Sequence, residues 1–185
     1  KNILLCGGFP KSDLTEPVLE AINKTTAAGV RIVGPQSLGL MTPSEGLNLS
    51  YLPSLPPAGE VGLVSQSPGL SCTIIDYVTN AQCGFSHVID PGFEQVLTVA
   101  DYVDMLAFDR KTRCIVLYLE SFQQPRKLLS AIRLAAANKP VILLKGGQTP
   151  GSADIVINNS GAREDEDGVL KRALLLAGAL LVTSI

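Results

Sequence analysis

The strongest constraint on this chain is its alternation between two hydrophobic periods. Strand-length apolar runs recur at "NILLC", "RIVG", "VGLVS", "FSHVID", "CIVLYLE", "VILLK" and "LLVTS". Between them lie helix-period stretches over residues 14–28, 70–80, 99–108, 126–137 and 169–177. Continuous apolar strands are buried on both faces, and strand–helix–strand repetition sets successive strands parallel with the crossover helices on the sheet. The expected fold class is therefore α/β, built on a doubly wound parallel sheet. In the 70–80 helix Leu70, Ile74, Ile75 and Val78 share one face, which should pack against that sheet.

The decapeptide "YLPSLPPAGE", residues 51–60, carries three prolines and a glycine. Proline lacks the N–H that helix interiors and central strands require, so a boundary between two units is expected here. The expected division is residues 1–50, a 51–59 linker, and residues 60–185. The chain opens on Lys1-Asn2 directly into "ILLC" and closes at Ile185 just after "ALLVTSI". Both ends read as cuts through a larger protein.

Composition removes several classes of function. A formal net charge of −2 over 185 residues offers no basic footprint for nucleic acid. The apolar runs 115–119 and 173–181 are too short or too interrupted to span a bilayer, so no membrane partner and a cytoplasmic location are expected. Cys6, Cys72, Cys83 and Cys114 show no CxxC spacing, and the single histidine, His87, cannot complete a Cys/His metal set. They read as reduced thiols, and no metal is expected. "REDEDG" reads as a solvated loop running into a helix start, where carboxylates are favoured. A cation site from Glu164, Asp165, Glu166 and Asp167 is disfavoured, because adjacent carboxylates on a helix point in different directions.

The segment "VGLVSQSPGLSCTIID" concentrates the chemistry. A strand ends near Ser65, Ser67 suits a helix N-cap, Pro68 suits the first helical position, and Gly69 leaves room for a ligand or another backbone. The helix start presents unpaired N–H groups and the positive end of the dipole, an anion site flanked by the Ser65 and Ser67 hydroxyls. The same residues also serve simply to begin a helix. Farther along, "DIVINNSGARED" follows a strand and a glycine pair, a place where α/β enzymes keep reactive groups, yet no nucleophile stronger than serine stands there.

Five separated blocks, "RIVGPQSLGLMTPSEGLN", "GEVGLVSQSPGLSCTIID", "GFSHVI", "VADYVDMLAFDRKTRCIVLYLES" and "NKPVILLKGGQTP", resemble the NDP-forming acyl-CoA synthetases, the superfamily of the succinyl-CoA synthetase α subunit. Within it the chain is most similar to the synthetase-like half of bacterial protein lysine acetyltransferases that carry a GNAT domain. The resemblance implies that residues 1–50 are the C-terminal part of a Rossmann-like CoA-binding domain and residues 60–185 a flavodoxin-like ligase domain. It implies CoA or acyl-CoA as ligand of the full-length parent, with an ATP-grasp β-type domain or an attached GNAT domain as partner. Active relatives pass phosphate through a histidine in a loop of the form S/G-H-T/A-G-A, and aligning "NNSGA" on that loop puts Asn159 at the histidine. An asparagine amide is not nucleophilic at neutral pH, so no phospho-carrier is expected there. Ser65, Ser67 and the backbone near Gly69 match the phosphate cradle, and Glu120 matches the glutamate that faces the histidine; Glu120 is equally the first polar residue after a buried strand. On the CoA side, Gly7, Gly8, Gly34 and Gly39 match turn residues at strand ends, with close approach to a ligand as a further role.

Three functions follow from this reading: a catalytically silent acyl-CoA-binding module that regulates an attached acetyltransferase, an active NDP-forming acid–CoA ligase domain, or a non-enzymatic interaction domain. Because the glycine-rich CoA loop of the family would precede Lys1, residues 1–185 alone are expected to bind CoA weakly or not at all. Calorimetry reporting low-micromolar CoA binding to this segment would contradict that expectation.

Overall fold

The structure, a computed structural model, describes residues 2–6, 14–146 and 167–182. Each expected strand and helix is present within them. A first unit runs β1 (Asn2–Cys6), α1 (Glu16–Ala27) and β2 (Arg31–Ser37), with β1 and β2 paired in parallel. Then come β3 (Gly39–Thr42), a 3-10 turn (Pro43–Glu45) and β4 (Leu47–Ser50). The remainder alternates β5 (Ala58–Ser65), α2 (Pro68–Asn80), β6 (Phe85–Ile89), α3 (Val99–Phe108), β7 (Cys114–Leu119), α4 (Pro125–Ala136), β8 (Val141–Lys145), α5 (Asp167–Leu176) and β9 (Leu180–Val182). α2 begins at Pro68, two residues before the apolar periodicity, because proline lacks only an N–H that the first helical turn leaves unpaired in any case.

The large sheet has the order β4-β3-β6-β5-β7-β8-β9. From β6 to β9 every pairing is parallel, and Val64 of β5 lies between Ile89 of β6 and Leu117 of β7. Numbered from β5, the parallel strands take the 2-1-3-4-5 order of flavodoxin-like folds. The sheet is doubly wound because side chains alternate along each strand. Leu63 and Val88 join Phe85, Met41 and Ile74 of α2 in one apolar cluster. Their neighbours Val64 and Ile89 join Ile115, Leu117, Leu119 and Leu143 beneath α3, α4 and α5, where Leu106, Ile132 and Leu174 have no exposed surface. Burying each such side chain contributes roughly 1.5–3 kcal/mol. The expected face of α2 is the buried one: Leu70, Ile75 and Val78 pack around Ile74.

The hairpin of β3 and β4 has no counterpart in the sequence reading. It was expected to belong with residues 1–50, yet β3 pairs antiparallel with β6, Leu40 beside Ile89 and Met41 beside Val88. The proline-rich stretch therefore joins β4 to β5 within one sheet. The physical reason lies in two side chains. Met41 is fully buried in the α2-side cluster, and Leu40 packs against the cluster on the other face. Four residues of "GLMT" are too few to show a period. Among the described residues no helix is long and apolar enough to cross a membrane, and Cys72, Cys83 and Cys114 are free thiols.

Gly39 opens β3 at a φ of 115°, in the left-handed region, and a Cβ there would lie 2.0 Å from the Leu49 carbonyl oxygen. The close approach is made by the partner strand of the hairpin. Gly39→Ala is expected to destabilise the protein by about 2–4 kcal/mol, combining backbone strain with displacement of β4. Urea unfolding of the two proteins measures it, and a change below about 0.5 kcal/mol would contradict the packing described.

Candidate functional site

In an open α/β sheet a ligand crevice forms outside the carboxyl ends of the strands where the strand order reverses. Here the chain leaves β5 for β6 on one side and returns to β7 on the other. Between these strand ends lies a crevice of about 350 Å³, lined by Gln36, Gln66 to Pro68, Gly92 to Gln95, and Glu120, Ser121 and Gln123.

One wall is the start of α2. Ser67 caps it, its hydroxyl accepting the Leu70 N–H at 3.3 Å. Ser65 is fully buried beneath: its hydroxyl donates to the Ser67 carbonyl at 3.0 Å and accepts the Ser67 N–H at 3.2 Å. It shapes the turn and is not among the lining residues. Among the described residues a Cβ on Gly69 would meet nothing within 4 Å.

The opposite wall follows β7. Burial raises the Glu120 pKa, while a Tyr118 hydrogen bond and the Lys145 charge oppose the shift. Burial, with the nearby carboxylate, pushes the Tyr118 phenol up to about 12. Lys145, at the end of β8, donates to the carbonyls of Glu120 at 3.2 Å and Gly146 at 2.7 Å and lies 5.7 Å from the centre of the Phe122 ring.

The floor was not anticipated from sequence. Gln66 accepts the Glu120 N–H at 2.6 Å and the Ser121 N–H at 3.0 Å, and donates to the Ser121 carbonyl at 3.1 Å and to the Glu94 carboxylate. The other oxygen of Glu94 accepts the Val99 N–H, the first of α3, at 2.9 Å. Behind it Asp90, 1% exposed, accepts N–H groups from Leu38 at 2.7 Å and Gly92 at 2.9 Å. Burial raises Glu94, and it raises Asp90 to about 6 against its two backbone hydrogen bonds. A glutamine between two serines and a glutamate after "DPGF" carry no periodic signal, which is why pattern reading passes over them.

The remaining candidates fall as follows. Ser67 and Glu120 line the same crevice. Gly34 lies inside β2 rather than at its end, at a φ of 94°, its N–H donating to the Pro91 carbonyl at 3.2 Å. Gln36 of the same strand reaches the crevice lining. His87 does not line it; it sits 3.5 Å from Asp109, and burial lowers its pKa. Asn159, Gly7 and Gly8 lie outside the described residues. Among the described residues no three His, Cys, Asp or Glu side chains are grouped to hold a metal.

The family model for the succinyl-CoA ligase like flavodoxin domain matches residues 58–185. The chain belongs to this family. Among curated relatives it is 31% identical over 151 residues to the ADP-forming acetate–CoA ligase of Methanocaldococcus jannaschii, covering 82% of this chain and 21% of that protein. It is 27% identical over 157 residues to subunit alpha of the ADP-forming acetate–CoA ligase II of Pyrococcus furiosus, covering 85% of this chain and 34% of the subunit. A dinucleotide-forming acetyl-coenzyme A synthetase of Ca. Korarchaeum cryptofilum, solved in complex with phosphate and ADP, superposes with a TM-score of 0.90 at 23% identity, over 100% of this chain and 40% of the other. At that identity the last likeness concerns the fold. The chain thus spans about a fifth to a third of the curated relatives it matches.

Asp90 gives the ligase-family domain a pH signature. Its folded pKa of about 6 lies above the ordinary carboxylate value near 4. Its contribution is most favourable below about pH 4 and is lost as pH rises through 6, on the order of 2–3 kcal/mol. Asp90→Asn removes the titration and leaves one of the two N–H donors without its acceptor. The urea midpoint of the wild type, measured against this variant, is expected to fall between pH 4.5 and 7; a flat difference would show that Asp90 is ionised in the fold without cost.

Proposed function

We propose that this chain is the ligase domain of an NDP-forming acyl-CoA synthetase, and that the crevice between β5 and β7 takes the phosphoryl end of an acyl phosphate. The observation that carries this reading is the start of α2, at Ser67 and Pro68, lining one crevice with Glu120 at a sheet switch point. The names of the relatives, acetate–CoA ligases and their subunit alpha, support it over the regulatory module of an acetyltransferase.

The lining suits a phosphoryl group. The start of α2 supplies a favourable dipole and the Gly69 N–H, the Leu70 N–H being taken by the Ser67 cap, and the Ser67 hydroxyl keeps a proton to donate. Two carboxylates, Glu94 and Glu120, would repel an anion when ionised. Burial shifts both toward the neutral form, which lessens that repulsion. The half-reaction assigned to the crevice is acyl transfer: the CoA thiol sulfur bonds to the acyl carbon, the carbon–oxygen bond to phosphate breaks, and the thiol proton leaves with the phosphate. No nucleophile of the chain is needed for this step, which accommodates Asn159 at the position aligned with the carrier histidine.

The parent protein then draws its acyl phosphate from an ATP-grasp domain or subunit, binds CoA chiefly through residues beyond this segment, and works in the cytoplasm. With acetyl phosphate and CoA, the full-length protein is expected to form acetyl-CoA. With ATP and its ATP-grasp partner, intact mass should show no covalent phosphate on residues 154–165. Absence of thioester from acetyl phosphate would sink the synthetase reading and leave a CoA-binding or interaction module. Stoichiometric phosphorylation of that loop would instead show that another of its residues carries the phosphate.

A further inference from the structure

The ladder between β5 and β7 ends with Ser65 beside Tyr118, yet the two segments stay joined one step farther. The Gln66 N–H donates to the Tyr118 carbonyl at 3.1 Å, and its side chain continues as a surrogate strand. A primary amide has two donors and an acceptor oxygen with two lone pairs. Gln66 uses all of them: its oxygen takes the Glu120 and Ser121 N–H groups, and its nitrogen reaches the Ser121 carbonyl and Glu94. Glu94 is held at a φ of 53°, unusual for a residue with a side chain, and passes the connection to the Val99 N–H of α3. Two side chains thus link the start of α2, the end of β7 and the start of α3 around one crevice.

We infer that Gln66 and Glu94 are positioning residues that together set the phosphoryl end of the crevice, holding the Glu120–Ser121 backbone and the start of α3 against the start of α2. This rests on the synthetase reading above. Only a carboxamide at 66 satisfies all four partners. A leucine would take their Gln66 partner from two N–H groups, a carbonyl and one oxygen of Glu94. A glutamate would keep the two N–H bonds but set its second oxygen against the Ser121 carbonyl and Glu94, unless a proton sat between the two carboxyls. The charges facing Glu94 are Asp90 behind it and Asp101 on α3; Lys145 faces Glu120 from β8.

The test uses the full-length protein with acetyl phosphate and CoA as substrates. In Q66E the KM for acetyl phosphate should approach the wild-type value at pH 5.5, where a proton bridges the two carboxyls, and rise roughly tenfold by pH 8 as it is lost. The KM for CoA should not follow. The swap Q66E/E94Q restores a donor opposite the carboxylate and should bring the pH 8 value back to within about threefold of wild type. If Q66E does not fold, E94Q alone decides: one of the two positions that accept from Gln66 and Val99 becomes an amide nitrogen set against a donor, so exchange of the amide hydrogen of Val99, or of Glu120 and Ser121 where Gln66 is displaced, should quicken roughly tenfold. A loss in Q66E equal at every pH, a swap without rescue, or exchange at Val99, Glu120 and Ser121 all unchanged in E94Q would each overturn the inference. Should the wild type form no thioester, the synthetase reading falls, and hydrogen exchange at Val99, Glu120 and Ser121 still decides whether the pair holds these segments.

Discussion

β5 is paired in parallel on both sides, and the placement of the crevice follows from that one constraint. A strand flanked by β6 and β7 must send its chain first to one side and bring it back on the other. The polypeptide therefore diverges above its carboxyl end. The gap is bounded by helix starts and strand ends, whose N–H groups have no regular partner. A polar crevice at Gln66 to Pro68 is a consequence of topology before it is a matter of particular side chains. The apolar clusters on the two faces of the sheet, divided between neighbours such as Leu63 and Val64, hold β5 in that central place.

The crevice then has an electrostatic problem. It brings together Glu94 and Glu120, with Asp90 behind, and the nearest buried cation on the described chain is Lys145. The structure answers with backbone N–H groups and the Gln66 amide. Asp90 takes two N–H donors, Glu94 takes one with the Gln66 amide, and Lys145 is directed at two carbonyls. Acids held this way remain partly desolvated, so their affinity for protons rises. That state tolerates an incoming anion better than three exposed carboxylates would.

The small unit of β1, α1 and β2 is not separate from this site. Gln36 of β2 reaches the lining, the Leu38 N–H is fixed by Asp90, and Gly92 packs so closely on β2 that a Cβ would lie 2.2 Å from the Pro35 carbonyl. The segment that the family resemblance assigns to the CoA side thus abuts the segment assigned to phosphate. In the acid–CoA ligation proposed for the parent, the two ends of the reaction would have to meet at such a junction.

The sequence by itself determined the order of the elements other than β3 and β4, the α/β class and the inward face of α2, because these depend on hydrophobic period and on local helix-start chemistry. Pro68 and Ser67 could be placed on a helix start from four residues of context. Glu120 is named through the family resemblance, since its place after an apolar run says only that a buried strand ends there. Tertiary structure alone decided the rest. The β3–β4 hairpin joins the large sheet because Met41 and Leu40 find apolar partners on opposite faces, a long-range choice that four residues cannot encode as a pattern. Gln66, Glu94 and Asp90 became a framework only when β5, β6 and β7 were set side by side. The bonds from Gln66 to Glu94 and Ser121 and from Leu38 to Asp90 span 28 to 55 residues, and hydrogen bonds over such separations leave no periodic trace in the sequence.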